Sequence, residues 1–230
     1  MYNREFYTDL GKKIRARRKF KHITLSEMAD ELGKSVATIS KYESGDLAIG
    51  IDALIDICRI LNLSIETLLP DTSSNVPSDD FKRYEKIFED KLYIYWYNGE
   101  QKRIGVAALS NDSISMNSIL FFGLKDVSNI YECEYIYNGT ILLSDTCIVY
   151  LYRNTDPPFD TLMMRLPVFS KKGRNRIGLM TTISSYYQSI ALKVFVSETP
   201  VTDPESLMPN LIISQEELKD MKRSNFFTVL

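Results

Sequence analysis

The 230-residue chain is poor in the residues that staple a fold or carry out chemistry. Its three cysteines, Cys58, Cys133 and Cys147, are an odd number without a CxxC pair. That pattern is neither a disulfide framework nor a zinc site, and a reducing, cytoplasmic setting is the simplest fit. The single histidine, His22, leaves little scope for imidazole chemistry. No apolar run approaches the roughly 20 residues of a membrane span. No apolar stretch follows Met1 to Glu5, so a secretory leader is not expected either. Phosphate-cradling GxxxxGK[ST], GxGxxG and GxSxG patterns are missing. No catalytic residue, metal site or cofactor is therefore expected, and the chain does not read as an enzyme. A surplus of charge is lacking as well. The formal net charge is −2 and the isoelectric point about 5.6, which by itself argues against a nucleic-acid binder.

What is present divides into two textures. Hydrophobic residues at 44% and charged residues at 25% are ordinary for a globular protein, and the length suits one or two domains. Residues 5–69 read as short helices punctuated by Thr24, Gly33, Ser35, Gly45, Gly50 and Ser64. Residues 71–80 are polar and turn-prone, a linker composition. Beyond them tyrosine, isoleucine and valine recur in short runs. Asn98-Gly99 and Asn138-Gly139 signal hairpin turns there, because both central positions of the tight turn want positive φ. The expected fold class is α+β: a helical domain over 1–70, a linker over 71–80 and a β-rich domain over 81–230. Eight or nine strands are expected near 91–97, 102–109, 116–123, 131–137, 140–145, 147–153, 161–168, 177–184 and 190–197, forming an antiparallel barrel or sandwich. Both faces of 91–97 are bulky, so that strand should be covered on both sides. A leading helix over 81–89 and a terminal helix from the capping box Ser214-Gln215-Glu216-Glu217 to about Arg223 complete the domain.

In the helical domain, Thr24 and Glu27 form a capping box for the second helix, and Gly33 ends it. Ser35 caps the next helix, which runs over 36–44 to Gly45. The tight turn between the two holds the later helix at a steep angle. A stripe of Ile51, Leu54, Cys58 and Leu61 follows, then a short helix capped by Ser64. Ile14, Ile23, Met28, Ala29, Leu32, Ile39, Leu54, Cys58, Leu61 and Leu68 are the expected core. Residues 1–22 hold eight basic and two acidic residues, which suggests either a solvated helix face or a phosphate-facing surface.

The runs Leu10-Gly11-Lys12-Lys13-Ile14-Arg15, Ile23-Thr24-Leu25-Ser26-Glu27-Met28-Ala29, Leu32-Gly33-Lys34-Ser35 and Thr38-Ile39-Ser40-Lys41-Tyr42-Glu43-Ser44-Gly45 resemble the Cro/cI-type (Xre) helix-turn-helix family of phage and bacterial regulators. The stretch 54–64 continues the likeness. It covers about 60 residues and none of the β-rich domain. The resemblance implies a five-helix, lambda-repressor-like domain that lays the helix over 35–44 in the major groove of a DNA operator, as a dimer. Carried onto this sequence, Val36, Ala37, Thr38 and Lys41 would face bases. Lys41 can donate to guanine, whereas Val36 and Ala37 can offer only apolar contact, such as to a thymine methyl. Arg15, Arg18, Lys34, Ser35, Ser40 and Ser44 would contact the DNA backbone. Arg18 and Glu43 match a pair that forms an orienting salt bridge in the family.

Three positions depart from the family pattern. Leu25 stands where glutamine is common, His22 where glycine often ends the first helix, and Ile49 where proline often precedes the fourth. Fewer hydrogen-bonded base contacts are therefore expected, with specificity shared by DNA shape or dimer spacing.

The implied function is a sequence-specific transcription regulator, a repressor in the first instance. Its β-rich domain would dimerise, sense a signal, or do both. An operator duplex, a second copy of the chain and a small-molecule or peptide effector are the expected partners, with no membrane involved. The alternatives are an antitoxin-like module that binds DNA only with a partner, and a small-ligand receptor with auxiliary DNA binding. The basic loop 171–176 suits either a solvated hairpin tip or an anion contact. Residues 1–70 hold eleven basic and ten acidic residues, so useful binding should depend on a dimer and a matched operator.

Overall fold

A computed structural model describes residues 4–69, 89–113, 116–154, 156, 160–168, 175–184 and 187–228. The expected linker, all but Glu89 of the leading helix expected over 81–89, and most of the basic loop, 171–174, lie outside the described residues.

Five helices make up the N-terminal domain: α1 (Arg4–Phe20), α2 (Leu25–Leu32), α3 (Val36–Ser44), α4 (Ile51–Leu61) and α5 (Ile65–Leu68). Their ends are set by short-range chemistry. The Thr24 N–H donates to the Glu27 carboxylate at 2.7 Å, and the Glu27 N–H donates back to the Thr24 hydroxyl at 3.1 Å. Ser35 accepts from the Thr38 N–H at 3.1 Å. Such a cap is worth about 1 kcal/mol. Gly33 and Gly45 close α2 and α3 in the left-handed region. His22 takes φ 56° between α1 and α2, so the position needs left-handed backbone even without glycine.

The core gathers Leu10, Ile14, Met28, Ile39, Ile57 and Leu61, with Ala29, Leu54, Cys58 and Leu68. Burying each large apolar side chain contributes about 1.5–3 kcal/mol. Ile23 and Leu32, expected in the core, are only partly buried against it. The α4 stripe also differs from expectation. Ile51 is 66% exposed and Ile57 is fully buried. Ile51 and Asp52 are exposed and Ala53 is partly buried, so the fully buried face of α4 begins at Leu54.

The C-terminal domain is a closed, up-and-down antiparallel barrel of eight strands. They are β1 (Lys91–Asn98), β2 (Arg103–Asp112), β3 (Asn117–Phe122), β4 (Tyr135–Leu143), β5 (Cys147–Asn154), β6 (Thr161–Pro167), β7 (Arg176–Ile183) and β8 (Ser189–Ser197). Each pairs with its sequence neighbours, and β8 closes on β1 through Tyr93↔Ser197 to Trp96↔Val194. Alternation puts Leu92, Ile94 and Trp96 inside and Tyr93 and Tyr95 outside. The outer pair is covered by the chain after β8, including a 3-10 turn (Pro204–Leu207) and α6 (Met208–Leu211). The Val201 N–H donates to the Tyr95 hydroxyl at 2.8 Å. The terminal helix α7 (Gln215–Ser224) carries the expected Ser214/Glu217 capping box and is tied to β8 by Lys193 Nζ–Glu217 Oε1 at 2.7 Å.

Two expected turns resolve differently. Asn98-Gly99 begins a four-residue connection rather than a two-residue turn, since Asn98 pairs with Arg103. The Asn98 side chain accepts from the N–H groups of Glu100 and Gln101 at 3.1 Å. Asn138-Gly139 is not a turn. It lies inside β4, which joins the two strands expected at 131–137 and 140–145, so the barrel has eight strands and not nine. Gly139 pairs with both Ser118 and Tyr152, and a Cβ there would lie 2.3 Å from the Leu151 carbonyl oxygen. Close approach to β5, rather than a turn, requires the glycine.

The two domains meet along α1. Ala16 packs with Ile119, Phe121 and Ile136 on the outer face of β3 and β4, with Phe20 and Tyr131 beside them. Polar contacts extend the seam in both directions. Lys12 Nζ reaches Asp112 at 3.4 Å, the Asn117 amide donates to Asp9 at 3.2 Å, and the Arg17 guanidinium pairs with both oxygens of Asp156. Lys19 lies over the Tyr131 ring, 4.4 Å from its centroid.

Candidate nucleic-acid interface

α3 is held from behind by α1. Gly11 makes the approach possible, because a Cβ there would lie 2.4 Å from the Tyr42 carbonyl oxygen. Arg18 Nε donates to Glu43 Oε1 at 2.5 Å and Nη2 to Oε2 at 2.9 Å, while Nη1 donates to the Ile23 carbonyl at 2.7 Å. This bidentate pair fixes the last turn of α3 against α1. Ile39 and Tyr42 fill the buried side of α3.

The opposite side is open. Val36 is 45% exposed, and Ala37, Ser40 and Lys41 are exposed beside it, with Thr38 half-buried. Lys34, Ser35 and Ser44 are exposed at the two ends of the helix, and Arg15 is exposed on α1. Three side chains are already engaged. The hydroxyls of Ser35 and Thr38 share a hydrogen bond of 2.8 Å. Ser44 donates to Asp46 at 2.7 Å, and that bond, with Arg4 close by, holds the Asp46 carboxyl below its usual range. Leu25, in place of the family's glutamine, is half-buried against the core, so the apolar change is used in packing.

Arg18, expected both at the DNA backbone and in the orienting salt bridge, is turned into that bridge. It is 6% exposed, and its three donor positions are turned inward to Glu43 and Ile23. Part of the basic first helix is likewise turned inward, while Arg4, Lys12 and Arg15 stay exposed. Lys13 is buried against Asp9 at 3.1 Å, and Arg17 bonds the carbonyls of Leu61 and Asn62 as well as Asp156. The Lys19 ammonium is lowered from its ordinary value by burial and by the nearby charges of Arg15 and Arg18. The Arg17–Asp156 pair spans 139 residues of chain, and no local pattern announces it.

The barrel offers a second candidate site. At the end where β1–β2, β3–β4, β5–β6 and β7–β8 connect, the interior opens into a cavity of about 730 Å3 that extends over the rim to Ile104 and Leu124. Trp96, Phe122, Tyr137, Asp160 and Thr182 line it, with Tyr187 at the rim. Tyr93 and Tyr95 face outward, away from this cavity.

Residues 14–68 match the family model described as helix-turn-helix. Fold, exposed α3 face and match together identify the N-terminal domain as a Cro/cI-type helix-turn-helix domain, which supports a DNA-binding regulator. The match ends before the barrel. Neither the comparison with curated proteins nor that with solved structures returned a match. Among the described residues, no helix is long and apolar enough to cross a membrane.

Proposed function

We propose that the protein is a cytoplasmic, operator-specific repressor that binds DNA as a homodimer through α3, acting by binding and not by catalysis. The observation that carries this reading is the open face of α3: Val36, Ala37 and Lys41 stand exposed while α1, on the other side of the domain, is docked on the barrel. Val36 and Ala37 offer thymine methyls an apolar surface, Thr38 sits beside them, and Lys41 donates to guanine O6 or N7. Arg15, Lys34, Ser35, Ser40 and Ser44 contact the DNA backbone. One half-site gives a single α3 few polar base contacts, so a dimer on two half-sites supplies the affinity.

A gel-shift screen of genomic fragments, followed by footprinting, tests the reading. A footprint of two half-sites about one helical turn apart, lost with Lys41→Ala, is expected. Binding indifferent to Lys41→Ala and to Val36→Asp would remove α3 from the interface.

One observation also favours a sensory role for the barrel. The cavity is within the size range of small-molecule sites, and Asp160 in its wall shares the β5–β6 connection with Asp156, the partner of Arg17. An effector in the cavity would bias the α1–barrel seam and with it the spacing of the two α3 helices. Operator binding measured with and without effector checks this.

A further inference from the structure

The barrel interior is filled at one end and open at the other. In the filled part Tyr150 and Tyr152 are buried, and the Ser118 hydroxyl bonds Asn111 Oδ1 at 2.8 Å and the Tyr152 hydroxyl at 2.7 Å. The open part is the cavity, and its walls are specific in shape and in charge.

The shape is an aromatic wall. Trp96 stacks on Phe122 with ring centroids 4.6 Å apart and planes 17° apart, and Tyr137 meets Phe122 edge-on at 6.0 Å. Gly105, the cross-strand partner of Trp96, leaves room for this indole. A Cβ there would lie 2.3 Å from the indole ring.

The charge is negative. Asp160 is 9% exposed and faces the cavity. Its carboxylate receives neutral donors: the Tyr137 hydroxyl at 3.0 Å to each oxygen, and the Thr182 hydroxyl at 3.5 Å. Among the described residues no cation pairs with it. Arg103, the one basic residue of the lining, lies at the rim with Glu134 at 3.5 Å. Tyr137 stays a neutral donor, since burial and then the adjacent Asp160 charge push its phenol well above the ordinary value. A buried carboxylate held only by neutral groups is costly, and a bound cation would relieve that cost.

We propose that the barrel mouth binds an organic cation, a primary or quaternary ammonium carrying an apolar or aromatic group. Asp160 provides the counter-charge, and the Trp96–Phe122 wall takes the apolar part, with the ring faces adding attraction for the cation. The proposal rests on the sensory reading of the barrel and names the ligand class of that site.

Trp96 is the only tryptophan in the chain, so its emission reports occupancy of the cavity directly. The full-length protein is titrated with phenethylamine and benzyltrimethylammonium as cations, 2-phenylethanol as the neutral counterpart and 3-phenylpropionate as the anion. Calorimetry gives the affinities. The cations are expected to shift Trp96 emission and to bind about tenfold or more tightly than 2-phenylethanol. Asp160→Asn, which keeps an acceptor for Tyr137, should erase that preference and leave 2-phenylethanol binding unchanged. Gly105→Ala should weaken every probe by displacing the indole. Neutral or anionic probes binding as well as the cations would overturn the ligand class and leave the sensory reading standing. No probe binding at all would overturn both. The charge preference of the unmodified protein decides the point even where Asp160→Asn fails to fold.

Discussion

α1 and α3 lie against each other in one small domain and use their side chains in opposite ways. α1 carries most of the domain's cations and buries three of them, Lys13 on Asp9, Arg18 on Glu43 and Arg17 on Asp156 across the domain seam, while Arg4, Lys12 and Arg15 stay exposed. α3 carries one cation, Lys41, and leaves it exposed. The buried charge on α1 therefore acts as structure, while the sparse polar chemistry of α3 faces outward. A buried ion pair orients elements because removing either half strands the other in a low-dielectric setting. An exposed cation is worth little to stability and is available for binding.

Four substitutions test that contrast. Arg18→Ala should be the most damaging, since it strands the Glu43 carboxylate and the Ile23 carbonyl. A loss of about 3–5 kcal/mol is expected from chemical denaturation; a loss below about 1 kcal/mol would mean that the pair does not hold α3. Arg17→Ala should cost about 2 kcal/mol by removing charged hydrogen bonds to Asp156, Leu61 and Asn62. It also loosens the seam in which Cys133 sits. Burial pushes that thiol up to about 12, so alkylation of Cys133 should accelerate as α1 lifts away, and unchanged labelling would show that the seam holds without Arg17.

Lys41→Ala should behave in reverse. Thermal stability should move by no more than about 0.5 kcal/mol, while operator affinity falls by about 1–3 kcal/mol, measured by titration at fixed salt. The smallest effect is expected from Arg15→Ala, at an exposed cation of α1. It should leave stability alone and reduce the salt dependence of binding by about one ion, with sequence preference intact. If Arg15→Ala instead destabilises the fold as Arg17→Ala does, the division between inward and outward cations fails.

The parts that could be read from the chain are those controlled by neighbours in sequence. Thr24, Gly33, Ser35 and Gly45 set the ends of α2 and α3 through bonds spanning a few residues, and all four act as their residue types suggest. The Ser214/Glu217 box does the same for α7. The two Asn-Gly pairs show the limit. At 98–99 the dipeptide opens a connection, while at 138–139 strand pairing on both sides holds it extended. Identical local preference gave way where β3 and β5 supplied ladder hydrogen bonds. Ile51 and Ile57 show it again on α4, where both fit an apolar helix and only packing selects Ile57.

The candidate interface divides along the same line. The exposed places of Lys34, Val36, Ala37 and Lys41 on and before α3 were legible because a helix-turn-helix has a strict internal spacing. The inward role of Arg17 and Lys13, the seam along α1 and the cavity around Asp160 were not, because their partners lie far away in sequence.

The sequence by itself determined that a capped, five-helix DNA-binding domain precedes a β-rich one, since caps, turns and apolar periodicity are local properties. Tertiary structure alone decided that the sheet closes into a barrel, that Lys13, Arg17 and Arg18 of α1 turn into the core and the barrel seam, and that an acidic, aromatic cavity stays open at one end. Those outcomes depend on which distant surfaces are brought into contact, and burial, which sets the cost of every unpaired charge, exists only after they meet.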